Sequence, residues 1–149
     1  MARIRTLLGL LTAAAALMVT VVPAASAHTQ AEAILNGCGS GFHLVTDGTR
    51  AITTGGSTWG YVHLTYNSAT GANCVVTRKT AYHGTPSRVS VELVVQNDAS
   101  YYRADLDAEH WESVTHNAAG RCVMYSGWVW NPAGTVIAYG GRQSWGNCG

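Results

Sequence analysis

The residues able to bind a metal or move a proton are six histidines, His28, His43, His63, His83, His110 and His116, and eight carboxylates, four of which, Asp105, Asp107, Glu109 and Glu112, fall around His110 and His116. A carboxylate and imidazole cluster in that stretch would suit a divalent ion. The alternation Asp105, Asp107, Glu109 would offer oxygen ligands to calcium, but the glycine and terminal glutamate of a calcium loop are missing. The segment reads more plainly as a polar turn. No metal ligand is assigned and no cofactor is expected.

Hydrolysis needs a nucleophile held by a base, or two carboxylates facing across a cleft. The chain has no G-x-S-x-G elbow and no H-E-x-x-H helix, and its cysteines are expected to be paired rather than free for attack. No catalytic residue is assigned. Aromatic side chains are the better lead: Trp59, Trp111, Trp128, Trp130 and Trp145, with seven tyrosines and a single phenylalanine. Tryptophan and tyrosine fill cores when their polar atoms find partners and line binding surfaces when they do not. Trp128 and Trp130 are two apart and so share one face of a strand, as do Trp59 and Tyr61. These four are the candidate ligand-binding residues, suited to stacking on a glycan or polymer. With five leucines and three isoleucines beyond the first 27 residues, some of the tryptophans must serve the core.

Positioning such residues begins with the chain's first segment. Arg3 and Arg5 give a positive start, Leu7 to Val22 is apolar, and Ala25-Ser26-Ala27 is a small-residue cleavage site, the three zones of a secretory leader in order. The apolar run is short of the roughly 18 to 20 residues a spanning helix needs, and Pro23 interrupts it. Met1 to about Ala27 is therefore expected to be removed, leaving a secreted chain with no membrane segment. The formal charge is +1 over the whole chain, and subtracting Arg3 and Arg5 leaves the remainder near −1, with Lys79 its only lysine. Such a balance has no electrostatic footprint for nucleic acid.

All four cysteines, Cys38, Cys74, Cys122 and Cys148, follow the cleavage point, and an even count in an exported chain implies two disulfides. Three pairings are formally possible. Cys38 with Cys74 and Cys122 with Cys148 is favoured because each pair is consecutive. Each would close a loop of tens of residues and contribute about 3 to 4 kcal/mol, a large share of the stability of a domain this size.

Residues 28–37 read as a loose arm with a little helical tendency in Ala31 to Leu35 and no cap, and residues 38–149 as one β domain. The clearest strand is Arg88 to Gln96, where Val89, Val91, Leu93 and Val95 alternate with polar residues. Trp59 to Tyr66 alternates too, with both faces partly apolar. Further strands are expected at Phe42 to Thr46, Asn73 to Thr80, Ser100 to Asp105, Trp111 to Thr115, Arg121 to Trp130 and Thr135 to Tyr139. Turn-formers separate them, Asp47-Gly48 among them. Turns at roughly 8 to 12 residue spacing mark an all-β fold, a small disulfide-bonded antiparallel sandwich or barrel built from hairpins. No segment after the leader carries helical periodicity long enough for the crossovers of a parallel sheet.

Two hairpins echo each other: Thr65-Tyr66-Asn67-Ser68-Ala69-Thr70-Gly71-Ala72-Asn73-Cys74-Val75 and Thr115-His116-Asn117-Ala118-Ala119-Gly120-Arg121-Cys122-Val123. In Leu64 to Thr77, Ala118-Ala119-Gly120-Arg121-Cys122-Val123 and the closing Trp145-Gly146-Asn147-Cys148-Gly149, the chain resembles the spore-associated protein A family of actinomycetes, small exported proteins found with spores and aerial growth. The resemblance implies a location at the cell envelope or spore exterior and brings no catalytic residues with it. The expected function is a secreted, non-enzymatic β domain at that surface, with a cell-wall or spore-surface polymer as its partner. A small hydrolase with an unrecognised site and a protease-inhibitor-like binding module are the rivals.

Overall fold

The computed structural model of the protein describes residues 26–149; the expected leader lies, up to Ala25, outside the described residues. One α-helix, α1 (Gln30–Cys38), is followed by eight strands: β1 (His43–Thr54), β2 (Ser57–Asn67), β3 (Ala72–Lys79), β4 (Ser87–Val95), β5 (Ser100–Ala108), β6 (Trp111–Asn117), β7 (Val123–Trp130) and β8 (Ile137–Gly146). All pairings are antiparallel, in the order β5-β4-β7-β8-β1-β2-β3-β6. The sheet curls into a nearly closed barrel, so the all-β class read from turn spacing holds.

The two ends of the sheet, β5 and β6, are consecutive in the chain and meet through side chains. Tyr101 stacks on His116 with ring centroids 3.7 Å apart, and Arg103 lies 3.7 Å from Glu112. Inside the barrel the alternation of β4 is obeyed: Val89, Val91, Leu93 and Val95 are buried, as are Val62 and Leu64 of β2 and Val123, Tyr125 and Val129 of β7. Burying such side chains contributes roughly 1.5–3 kcal/mol each before chain entropy is counted. Both disulfides form with the favoured pairing, Cys38–Cys74 and Cys122–Cys148.

Three local expectations are corrected. The segment read as an uncapped loose arm is helix α1. Thr29 caps it, its hydroxyl accepting from the Glu32 amide while the Glu32 carboxylate accepts from the Thr29 amide. That reciprocal pair is a capping box, and Ala33 and Ile34 then pack against Val76 on the outside of the barrel, beside Phe42 and Trp111. Helix propensity alone is too weak to sustain nine residues; the cap, the Cys38–Cys74 bond and this second apolar cluster supply the rest.

Asp47-Gly48, expected as a turn, is a bulge inside β1: Leu44 opposes Thr65 but Thr49 opposes His63. Asp47 takes a left-handed φ of 55°, and a Cβ on Gly48 would sit 2.7 Å from the Leu64 carbonyl oxygen. β8 also runs on past Tyr139 to Gly146, because Gly140 and Gly141 let it pass close to its neighbours rather than end.

Candidate functional site

Trp128 and Trp130 point outward from β7, and the sheet register brings them partners that sequence spacing could not name. Tyr139 of β8 lies directly opposite Trp128, with ring centroids 5.5 Å apart at 48°. Tyr102 of β5, reached across β4, meets the other side of Trp128 at 6.2 Å and 62°. Arg88 of β4 completes the group: its guanidinium sits 4.5 Å from the centre of the Trp130 ring and donates to the Tyr102 hydroxyl at 3.1 Å. Tyr102 and Tyr139 are 49% and 41% exposed while the tryptophans are half-buried. The product is an apolar strip across strands β5, β4, β7 and β8, edged by one cation.

Trp59 and Tyr61 lie elsewhere. Ile52 opposes Gly60 and Thr53 opposes Thr58, so Trp59 is the extra residue of a bulge, and its ring packs against the core and meets Tyr82 at 5.2 Å. Tyr61 faces Arg78, whose guanidinium is 5.3 Å from the ring centre. Among the described residues no ring pair joins either to the Trp128 strip.

A second constellation was not visible in the sequence. His28 precedes α1, His83 sits in the β3–β4 loop and His110 in the β5–β6 turn, yet their ring nitrogens can be chosen so that all lie within 4.8 Å of one another. The rings of His83 and His110 stack at 4.5 Å and 28°, and His28 meets His110 edge-on at 4.5 Å. Trp111 forms one wall, 5.0 Å from His28. The main-chain nitrogen of His28 donates to Nε2 of His83 at 3.2 Å. Nδ1 of His83 and Nδ1 of His110 are buried and have no hydrogen-bond partner.

Two cations, buried Lys79 and half-buried Arg78, hold the three segments together. Lys79 is wholly buried, and its amine donates to the Thr85 carbonyl at 2.5 Å, the Ser87 hydroxyl at 2.9 Å and the Ala108 carbonyl at 2.6 Å. It thereby joins the loop that carries His83 to the strand end that leads to His110. The Lys79 amide also donates to the His110 carbonyl, and the Gly84 amide to that of Glu109. Arg78 donates to the His28 carbonyl at 2.7 Å. Burial brings the Lys79 pKa down to about 8, against the opposing pull of Glu109 and Asp105. Burial is also the main cause that lowers the His83 pKa, followed by the charges of His110, His28, Lys79 and Arg78.

The acidic stretch that sequence spacing singled out is dispersed. Asp105 and Asp107 are exposed on β5, and His116 leaves that region to stack on Tyr101 and approach Asp98 at 3.7 Å. Among the described residues the only group of three potential ligands with converging atoms is His28, His83 and His110. No helix among them is long and apolar enough to cross a membrane.

Fold and surface thus define a small disulfide-bonded antiparallel β-barrel domain with an outward aromatic strip and a three-histidine cluster beside its helix. Neither a family model nor a solved structure matches the chain. Over 119 residues it is 38% identical to spore-associated protein A of Streptomyces coelicolor, an alignment that spans 78% of this chain and 73% of that protein. The chain belongs to the spore-associated protein A family.

Proposed function

We propose that this chain is an exported, non-enzymatic β domain that resides at the cell envelope or spore exterior and holds a glycan or related polymer there through its aromatic strip. The observation that carries the reading is the alignment of Tyr102, Trp128 and Tyr139 on one outer face, with Trp130 and Arg88 beside them. Side chains with an apolar body and a polar tip, left at a surface, match the faces and hydroxyls of sugar rings. Two disulfides and membership of a family whose Streptomyces coelicolor member is named for spore association support the location.

The test is co-sedimentation with chitin, purified peptidoglycan and spore-wall material, comparing the wild-type domain with a Trp128→Ala, Trp130→Ala double variant and with Tyr139→Ala. Retention on one of the polymers, reduced several-fold by these substitutions while circular dichroism stays unchanged, is the expected outcome. Equal retention of the wild type and the double variant would reject the strip as the binding surface. Fractionation of medium, mycelium and spores tests the location separately.

A further inference from the structure

We infer that His28, His83 and His110 form a binding site for one copper(II) ion, with the main-chain nitrogen of His28 as a fourth donor once the leader has been cut off after Ala27. The three imidazoles stand on geometry alone; only the fourth donor rests on the proposed export. Three residues separated by 55 and 27 positions in the chain are brought together from a helix end and two loops, with ring nitrogens within 4.8 Å.

Two donors bound side by side to one ion at about 2.0–2.1 Å sit about 2.9 Å apart at a right angle and about 3.4 Å apart at the tetrahedral angle. The His28 nitrogen and Nε2 of His83 are 3.2 Å apart, inside that interval before any ion is added. Closing the remaining gap requires ring movements of only about an ångström, and His28 and His110, 34% and 31% exposed, have room for them. Buried polar atoms are rarely left without partners, yet His110 leaves Nδ1 unpaired. That is the nitrogen turned away from Glu109, whose carboxylate approaches Nε2 at 3.7 Å.

The donor set selects the metal. It holds no thiolate and no carboxylate ligand, and imidazole nitrogen suits copper, nickel and zinc, with copper(II) the most tightly held of the divalent series. As an amide, the His28 nitrogen is a poor ligand. Cleavage after Ala27 makes it a primary amine, which together with the imidazole of the same residue closes a chelate ring. Nitrogen sets of this kind favour the tetragonal geometry of copper(II). Arg78 and Lys79 face the cluster from β3 and are offset by Glu32 of α1, 3.8 Å from His28, and by Glu109. Lys79 and Arg78 act as positioning residues, since they bind the backbone of the ligand-bearing segments and not the ion.

The experiment uses exported protein whose start at His28 is verified by intact mass, alongside a form that keeps Ala27 in front of His28. Both are titrated with copper(II) sulfate by calorimetry against a competing chelator and examined by electron paramagnetic resonance. The expected result is one ion per chain, nitrogen hyperfine structure, a raised melting temperature, and weaker binding by the Ala27-extended form. His83→Gln and His110→Gln should each lose on the order of 100-fold in affinity, at or beyond the upper end of what removing an outer-shell partner costs. His43→Gln, exposed on β1, should lose nothing. Absence of stoichiometric binding in both forms, or affinity unchanged in His83→Gln and His110→Gln, would overturn the site. Equal affinity of the two forms would remove the amine as a donor. If export yields another N-terminus, the extended form still decides the three-imidazole site, so failure of the export reading and failure of the site are told apart.

Discussion

Acid should destabilise this domain chiefly through His63, the most deeply buried of its histidines. Its side chain is 1% exposed on β2, opposite Thr49 on one side and Val76 on the other. Nδ1 pairs with the Thr49 hydroxyl at 3.0 Å while Nε2 has no partner. Burial, seconded by the charge of Arg78, lowers its pKa from 6.5 to about 4. The folded state thus binds fewer protons than the unfolded chain between those two values. Stability is fully present above pH 6.5 and falls as the pH drops toward 4, below which the loss levels off. A shift of that size corresponds to about 3 kcal/mol. The assay is urea unfolding at intervals from pH 7.5 to 3.5, disulfides intact, for the wild type and His63→Gln. Whatever the substitution costs at pH 7.5, the wild type should lose about 3 kcal/mol more than the variant across the interval. Acid limbs that run parallel to within about 0.5 kcal/mol, the scatter of an ordinary surface change, would refute the reasoning.

Lys79→Met should cost about 3 kcal/mol, because it orphans two carbonyls and a hydroxyl in the interior; urea unfolding measures it, and amide exchange should quicken in residues 81–86 and 108–110. The disulfides close loops of 36 and 26 residues, about 3 to 4 kcal/mol each. Replacing Cys38 and Cys74 by alanine should therefore lower the melting temperature by roughly 10 °C or more, and α1 should become the first site of proteolysis. Gly140→Ala should destabilise by about 2 kcal/mol or more, since the added Cβ overlaps the Ala51 carbonyl oxygen of the adjoining backbone. An alanine variant with wild-type denaturation midpoint would show that β8 can shift away from β1.

Much of the fold could be read from period and punctuation. Val89 to Val95 announced a half-buried strand because alternate residues of a strand face opposite sides, and glycine and asparagine at regular intervals announced the hairpins. Errors arose where one local signal has two tertiary outcomes. Asp47-Gly48 serves a bulge as readily as a turn, and only the pairing of β1 with β2 decides which. The capping box of Thr29 and Glu32 went unread in a segment expected to be uncapped, and nine residues of helix also need an apolar surface to rest on, which Val76 with Trp111 provides only after β3 and β6 have paired.

The sites divide in the same way. Trp128 and Trp130 could be placed on one face because they are two apart on one strand. Tyr102, Tyr139 and Arg88 could not be joined to them, since cross-strand neighbours depend on register. Trp59 and Tyr61 were parted by a single bulge residue. The sequence by itself determined the strand-rich class, the cysteine framework and the aromatic supply, all of which depend on residue type and near spacing. Tertiary structure alone decided that His28, His83 and His110 meet: their segments are far apart in the chain, and what joins them is the buried amine of Lys79 and the guanidinium of Arg78 at the end of β3.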